Sequence, residues 1–140
     1  MRIVLDTNIL VSGLLRPHGP PGRVLDLVLA GSVSALWDDR LLGEYAEVLA
    51  RPKFAFSVGD ARAVLDYLRL AGEFIHAQPL QLSPQARPPD AYDVPFAEVA
   101  LAGKADALVT GNPRHFAFLT DTGLNVCTPA VFLTRWHTQD

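Results

Sequence analysis

The chain has 140 residues, 49% hydrophobic and 19% charged, which suits a folded domain with a real core and excludes an extended disordered tail. Its net charge is −3, twelve Lys and Arg against fifteen Asp and Glu, so it lacks the basic excess from which dedicated nucleic-acid binders draw affinity. Either it binds no nucleic acid, or some carboxylates are gathered to hold cations that supply positive charge.

Arg2 to Leu5 is an apolar run that reads as a buried strand, closed by the turn-forming residues Asp6, Thr7 and Asn8. Ile9 to Arg16 reads as a short helix with Asn8 as its N-cap. The Pro17-to-Gly22 segment breaks it, and Arg23 to Ala30 forms a second helix that Gly31 ends. Val33 to Trp37 is the second strand. Asp38 and Asp39 supply a cap for a helix through Leu41, Leu42, Tyr45, Val48 and Leu49, which Pro52 ends.

Ser57 to Asp60 resembles a capping box for a fourth helix with Val64, Leu65, Leu68 and Leu70 at apolar positions. Glu73 to Ala77 is the third strand. Residues 78–92 hold four of the eleven prolines and read as a surface loop near function. A helix over Asp93 to Gly103, a strand over Ala107 to Val109 and a loop over Thr110 to His115 follow. Leu124 to Cys127 is the last strand, and Thr128 caps a closing helix with Pro129 at its first position.

Strands separated by helices imply a mainly parallel sheet in a three-layer α/β/α sandwich. Right-handed crossovers favour an order that sets the first and fourth strands side by side. The leucines and valines of the first and fourth helices (Leu10, Leu14, Leu15, Val64, Leu65, Leu68) are assigned to the core, and Cys127 to a buried apolar position. A lone cysteine makes no internal disulfide, no apolar run approaches the ~20 residues of a membrane span, and the N-terminus enters a strand without a leader pattern. A single domain in the cytoplasm is the expectation.

Ligands of open α/β sheets gather at the carboxyl ends of the strands. Asp6 ends the first strand there. Glu44 lies near the start of the helix after the second strand, Asp93 begins the helix leading to the fourth, and Asn112 follows the fourth strand. Four oxygen-bearing side chains thus converge on one cleft. Clustered carboxylates repel and raise one another's pKa values unless a cation neutralises them. Hard divalent ions, Mg²⁺ or Mn²⁺, take oxygen ligands, whereas no His or Cys pair has zinc spacing.

Each residue also has a structural alternative. Asp6 starts a turn, Glu44 lies on a solvated helix face with Glu47 a stronger candidate for that role, and Asp90 with Asp93 matches an N-cap and its N3 partner. Asn112 before Pro113 is ordinary loop chemistry, and His115 a surface or packing residue.

Ile3-Val4-Leu5-Asp6-Thr7-Asn8 resembles the opening motif of PIN-domain ribonucleases. Glu44 to Phe54, Asp90 to Glu98, Val109 to Phe116 and Thr128 to Leu133 resemble that family's later motifs, in order and over nearly the whole chain. The resemblance implies a metal-dependent endoribonuclease of this fold, often the toxin of a toxin–antitoxin pair. By it, Asp6, Glu44 and Asp93 are metal ligands for Mg²⁺ or Mn²⁺, and Asn112 stands in a fourth position where many relatives carry aspartate. Thr7, Asn8 and Thr110 support those ligands or contact phosphate, with Asp90 and His115 as secondary candidates. RNA would track Arg16, Arg51, Lys53 and Arg114, and an antitoxin and a second copy of the chain are the implied protein partners. The competing readings are a catalytically weak or inactive PIN-fold module that binds RNA or protein, and a phosphatase or receiver domain with Asp6 as phosphoryl acceptor. The last lacks the expected second aspartate, since position 8 is Asn8.

Overall fold

The structure, a computed structural model, describes residues 1–86 and 89–138. Its sheet is built from β1 (Arg2–Leu5), β2 (Ser34–Trp37), β3 (Glu73–Phe74), β4 (Ala107–Val109) and β5 (Val126–Cys127). All four pairings are parallel, in the order β3-β2-β1-β4-β5. Ile3 pairs with both Ala35 and Ala107, and Leu5 with Val109, so the first and fourth strands are neighbours as expected. Ile3, Val4 and Leu108 are fully buried, the mark of strands covered on both faces.

Helices α1 (Thr7–Leu15), α2 (Pro20–Leu29), α3 (Asp39–Leu49), α4 (Val58–Ala71), α5 (Val94–Ala102) and α6 (Pro129–Thr138) flank that sheet in the layered arrangement expected. α2 packs between α1 and α6, while α5 lies against β1 and β4. Among the described residues, no helix is long and apolar enough to cross a membrane.

Local chemistry sets most boundaries. Asp38 accepts from the amides of Arg40 and Leu41, both at 3.0 Å, and so caps α3. Ser57 Oγ accepts from Asp60 N at 3.0 Å and caps α4. Gly72 ends α4 because a Cβ there would sit 2.4 Å from the Ala35 carbonyl oxygen and 2.5 Å from that of Leu68.

Several boundaries differ from the sequence reading. Asp6, not Asn8, is the N-cap of α1; its carboxylate accepts from the Thr7 amide, and Asn8 lies inside the helix. α2 starts at Pro20 because prolines fit the first turn, whose amides have no helical partner. β3 stops at Phe74 and β5 spans only Val126–Cys127, both being edge strands with one neighbour to pair with. Asp90 and Asp93 do not form a cap and its N3 partner: α5 starts at Val94 with Asp93 in the cap position. Asp90 instead caps a turn, accepting from Tyr92 N at 2.9 Å.

The segment after Asn112 is a kinked 3-10 stretch, Pro113–Thr122, whose Phe116, Phe118 and Leu119 enter the core. Leu15 and Leu70, assigned to apolar faces, are 48% and 85% exposed: Leu15 is the last residue of α1, and Leu70 lies across α4 from the buried Leu68. Cys127 is buried. In the 78–92 stretch, residues 87 and 88 lie outside the described residues, and the rest forms no regular element until the turn before α5.

Candidate active site

A cavity of about 540 Å³ opens at the carboxyl edge of the sheet, lined by Asp6 just past β1, by side chains from α1 and α3, and by the turn before α5. Helical spacing explains the lining. Asn8, Val11 and Ser12 share one face of α1, while Glu44, Glu47 and Val48 follow an i, i+3, i+4 row along α3, and Arg51 follows just past its end. Asp6, Glu44 and Asp93 line this one cavity, whereas Asn112, the fourth side chain expected to converge there, does not.

Two threonines fix the carboxylates. Thr110, fully buried at the end of β4, donates its hydroxyl to Asp6 Oδ2 at 2.7 Å. The Thr7 amide donates to Asp6 Oδ1 at 2.9 Å, and the Thr7 hydroxyl donates to Glu44 Oε2. Thr7 thus ties the first two carboxylates together from one backbone position. Below them, the buried Tyr45 hydroxyl donates to the Leu5 carbonyl at 2.6 Å, pinning the strand end that carries Asp6.

Burial pushes the Asp6 carboxyl above its ordinary value, against the pull of the Thr110 hydroxyl, the Thr7 amide and His115. Asp93 is also raised, by burial first and then by the charges of Asp6, Asp90 and Glu44, with His115 opposing. Tyr45 is driven up by burial and by Asp6, Glu44 and Asp38, so its phenol stays a neutral donor. Among the described residues, no Lys or Arg forms an ion pair with Asp6, Glu44 or Asp93. The cluster carries uncompensated negative charge.

That chemistry fits a hard divalent cation. The donors are oxygens, and charge repulsion is what a cation relieves. Among the described residues, no three His, Cys, Asp or Glu side chains close around one point. An ion that keeps several of its waters suits so open a donor set, because carboxylates can hold it through those waters as well as directly.

The other predicted residues are placed as follows. Asn8 Oδ1 accepts weakly from Gly111 N at 3.4 Å and lines the cavity. Asn112 is outside the lining; its Nδ2 lies 3.0 Å from Nε2 of His115, which does line it, and its amide donates to Thr110 Oγ1 at 3.2 Å. Asp90 is outside as well. Of the four basic candidates Arg51 lines the cavity, 3.6 Å from Glu47. Lys53 sits over the Phe54 ring, 5.1 Å from its centroid, while Arg16 and Arg114 are exposed away from the cavity walls.

Sequence reasoning gave no site role to Tyr45, Phe54 or Tyr92. Tyr45 reads as one more apolar position of α3, and only tertiary packing turns its hydroxyl toward Leu5. Phe54 and Tyr92 both line the cavity; Tyr92 directly precedes Asp93, a signal that was available. A second cavity of about 330 Å³ lies beyond α3, where Arg40 is bonded to two of the three acidic side chains in its walls, Asp38 and, at 2.6 Å, Glu98.

Comparison with known proteins bears on the family and the fold. A family model described as PIN domain matches residues 2–114. An uncharacterized protein of Methanocaldococcus jannaschii is 29% identical over 68 residues, 49% of this chain and 44% of that protein. The match therefore spans less than half of that relative's length. VapBC2 from Rickettsia felis, solved bound to a DNA fragment from its promoter, superposes with a TM-score of 0.58 at 18% identity. That match covers 91% of this chain and 98% of the other, a likeness of fold.

Proposed function

The chain belongs to the PIN-domain family, whose members are generally nucleases, and from that premise we propose that it hydrolyses RNA phosphodiester bonds with a divalent metal. Asp6, Glu44 and Asp93 are the metal ligands of this reading. Its main support is their placement from three separate elements on one cavity, with no basic side chain ion-paired to any of them among the described residues.

When bound, Mg²⁺ or Mn²⁺ neutralises the cluster and supplies Lewis-acid stabilisation to a phosphodiester in the cleft. The chain's own residues prepare that site. Thr110 and Thr7 hold Asp6, and Thr7 holds Glu44, so two carboxylates are oriented before any ligand arrives. Tyr45 anchors the strand end beneath them. Arg51 and His115 place positive or proton-bearing groups at the rim, where a phosphate backbone passes.

By its likeness to a toxin–antitoxin complex, the reading extends to a toxin held in check by an antitoxin. Incubation with total RNA in Mn²⁺ or EDTA, with mapping of new ends, tests the activity. New ends that need metal and vanish in Asp6→Asn support it. Equal ends from wild type and from a clean Asp6→Asn preparation sink it.

The open donor set, with no three ligands closed around one point, favours one alternative: a weakly active or inactive module that keeps the fold. Calorimetric titration with Mn²⁺ separates the two. Absence of binding at millimolar metal, together with absence of cleavage, selects the module.

A further inference from the structure

We propose that Tyr92 is a substrate-positioning residue that stacks on an unpaired nucleobase beside the acidic site. This rests on the nuclease reading above and assigns a residue to holding its substrate. Tyr92 lines the same cavity as Asp6, Glu44 and Asp93, yet it is 78% exposed. So large an apolar ring in water contributes nothing to the core, and its backbone is fixed regardless: Asp90 accepts its amide at 2.9 Å, and the Asp90 carbonyl accepts from Asp93 N at 3.0 Å. The same turn that sets the Asp93 carboxylate therefore holds the ring at the site.

Phe54 brings a second aromatic side chain to this cavity, stacked on Phe56 with centroids 5.9 Å apart. Its place follows from a tight turn: Ala55, next along the chain, takes a left-handed backbone with φ 56°, a conformation that alanine adopts only when surrounding structure enforces it. Lys53 lies above that ring and Arg51 on the cavity wall. Aromatic rings next to cations are the combination that binds single strands, with bases stacked and the backbone tracked by charge. In a duplex the bases already stack on one another and present no free face to Tyr92.

The test uses a short RNA carrying 2-aminopurine, whose emission is quenched by stacking, and the same sequence as a closed hairpin duplex. Wild type, Tyr92→Phe and Tyr92→Ala are compared, with melting temperature as the folding control. Wild type is expected to quench the emission and, in Mn²⁺, to cleave the single strand in preference to the hairpin. Tyr92→Ala should lose the quenching and roughly 5- to 100-fold in kcat/KM on the single strand, mainly through KM. Tyr92→Phe keeps the ring and should restore the quenching. Cleavage by wild type with unchanged quenching and KM in Tyr92→Ala overturns the stacking role and leaves the nuclease reading standing. Tyr92-dependent quenching by a protein that cleaves no RNA does the reverse.

Discussion

Thr110 donates its hydroxyl to Asp6 across the ends of two neighbouring parallel strands, at 2.7 Å. Thr110 follows β4, and Asp6 follows β1, the strand that pairs with it. The bond therefore exists only because the sheet sets the first strand beside the fourth, and it couples the site to the topology. Burial works to protonate Asp6, and this hydroxyl is the largest influence keeping it ionised.

Thr110→Val removes that donor while preserving shape, and it also strips the acceptor used by Asn112 N. The fold should lose about 1 kcal/mol, the usual net value of one hydrogen bond. The Asp6 carboxyl should titrate still higher, so the acid limb of the cleavage–pH profile moves upward. A profile superimposable on wild type contradicts this role for Thr110.

The pH dependence of stability has a definite sign. Asp6 titrates above its ordinary value of 3.8 in the folded chain, so the unfolded chain ionises first as pH rises. Metal-free stability then falls between that ordinary value and the raised folded one, and stays lowered above it. Asp93, also raised, acts in the same direction. In EDTA at pH 7, Asp6→Asn should melt higher than wild type, with the gap closing as pH falls toward 3. Adding Mn²⁺ should raise the wild-type midpoint more than the variant's. A lower midpoint for Asp6→Asn in EDTA at pH 7, with none of this pH trend, refutes the cost assigned to burying the Asp6 charge.

How far the site was legible follows from the kind of signal each residue leaves. Asp6, Glu44 and Asp93 could be brought to one edge from strand order alone, because every helix following a strand begins there. Cap chemistry likewise identified Asp38 and Ser57. The cap of α1 was misread at Asn8 because Asp6 was read only as a turn residue and site carboxylate, and it does both jobs. The lengths of β3 and β5 depend on pairing at an edge, which no local pattern records. Tyr45 and Tyr92 look alike as letters; one is buried with its hydroxyl on Leu5 and the other stands in solvent, a difference made by packing alone.

Glu98 illustrates a carboxylate that belongs to the fold. It is 8% exposed, bonded to Arg40 at 2.6 Å and accepting from Leu80 N at 2.9 Å. It thereby ties α5 to the start of α3 and to the strap leading away from β3. Glu98→Ala leaves the part-buried Leu80 amide unpaired and Arg40 with one partner fewer. Discounted for the half-exposed Arg40, the loss should be about 2 kcal/mol. Chemical denaturation measures it, and a midpoint within error of wild type argues against the tie.

Asn112 is where added charge should tell most. Its Nδ2 lies 3.0 Å from His115 Nε2, within hydrogen-bond reach of the ring. Asn112→Asp replaces that donor with an acceptor and adds a negative charge near a cluster already short of cations. Two consequences follow in opposite directions. Without metal, like-charge repulsion should lower the melting temperature at pH 7. With metal, the extra carboxylate should tighten Mn²⁺ binding by roughly 3- to 10-fold, as ligand charge count generally does. Calorimetric titration and melting curves in EDTA check the two together. Mn²⁺ binding in Asn112→Asp no tighter than in wild type would show that this position faces away from the ion.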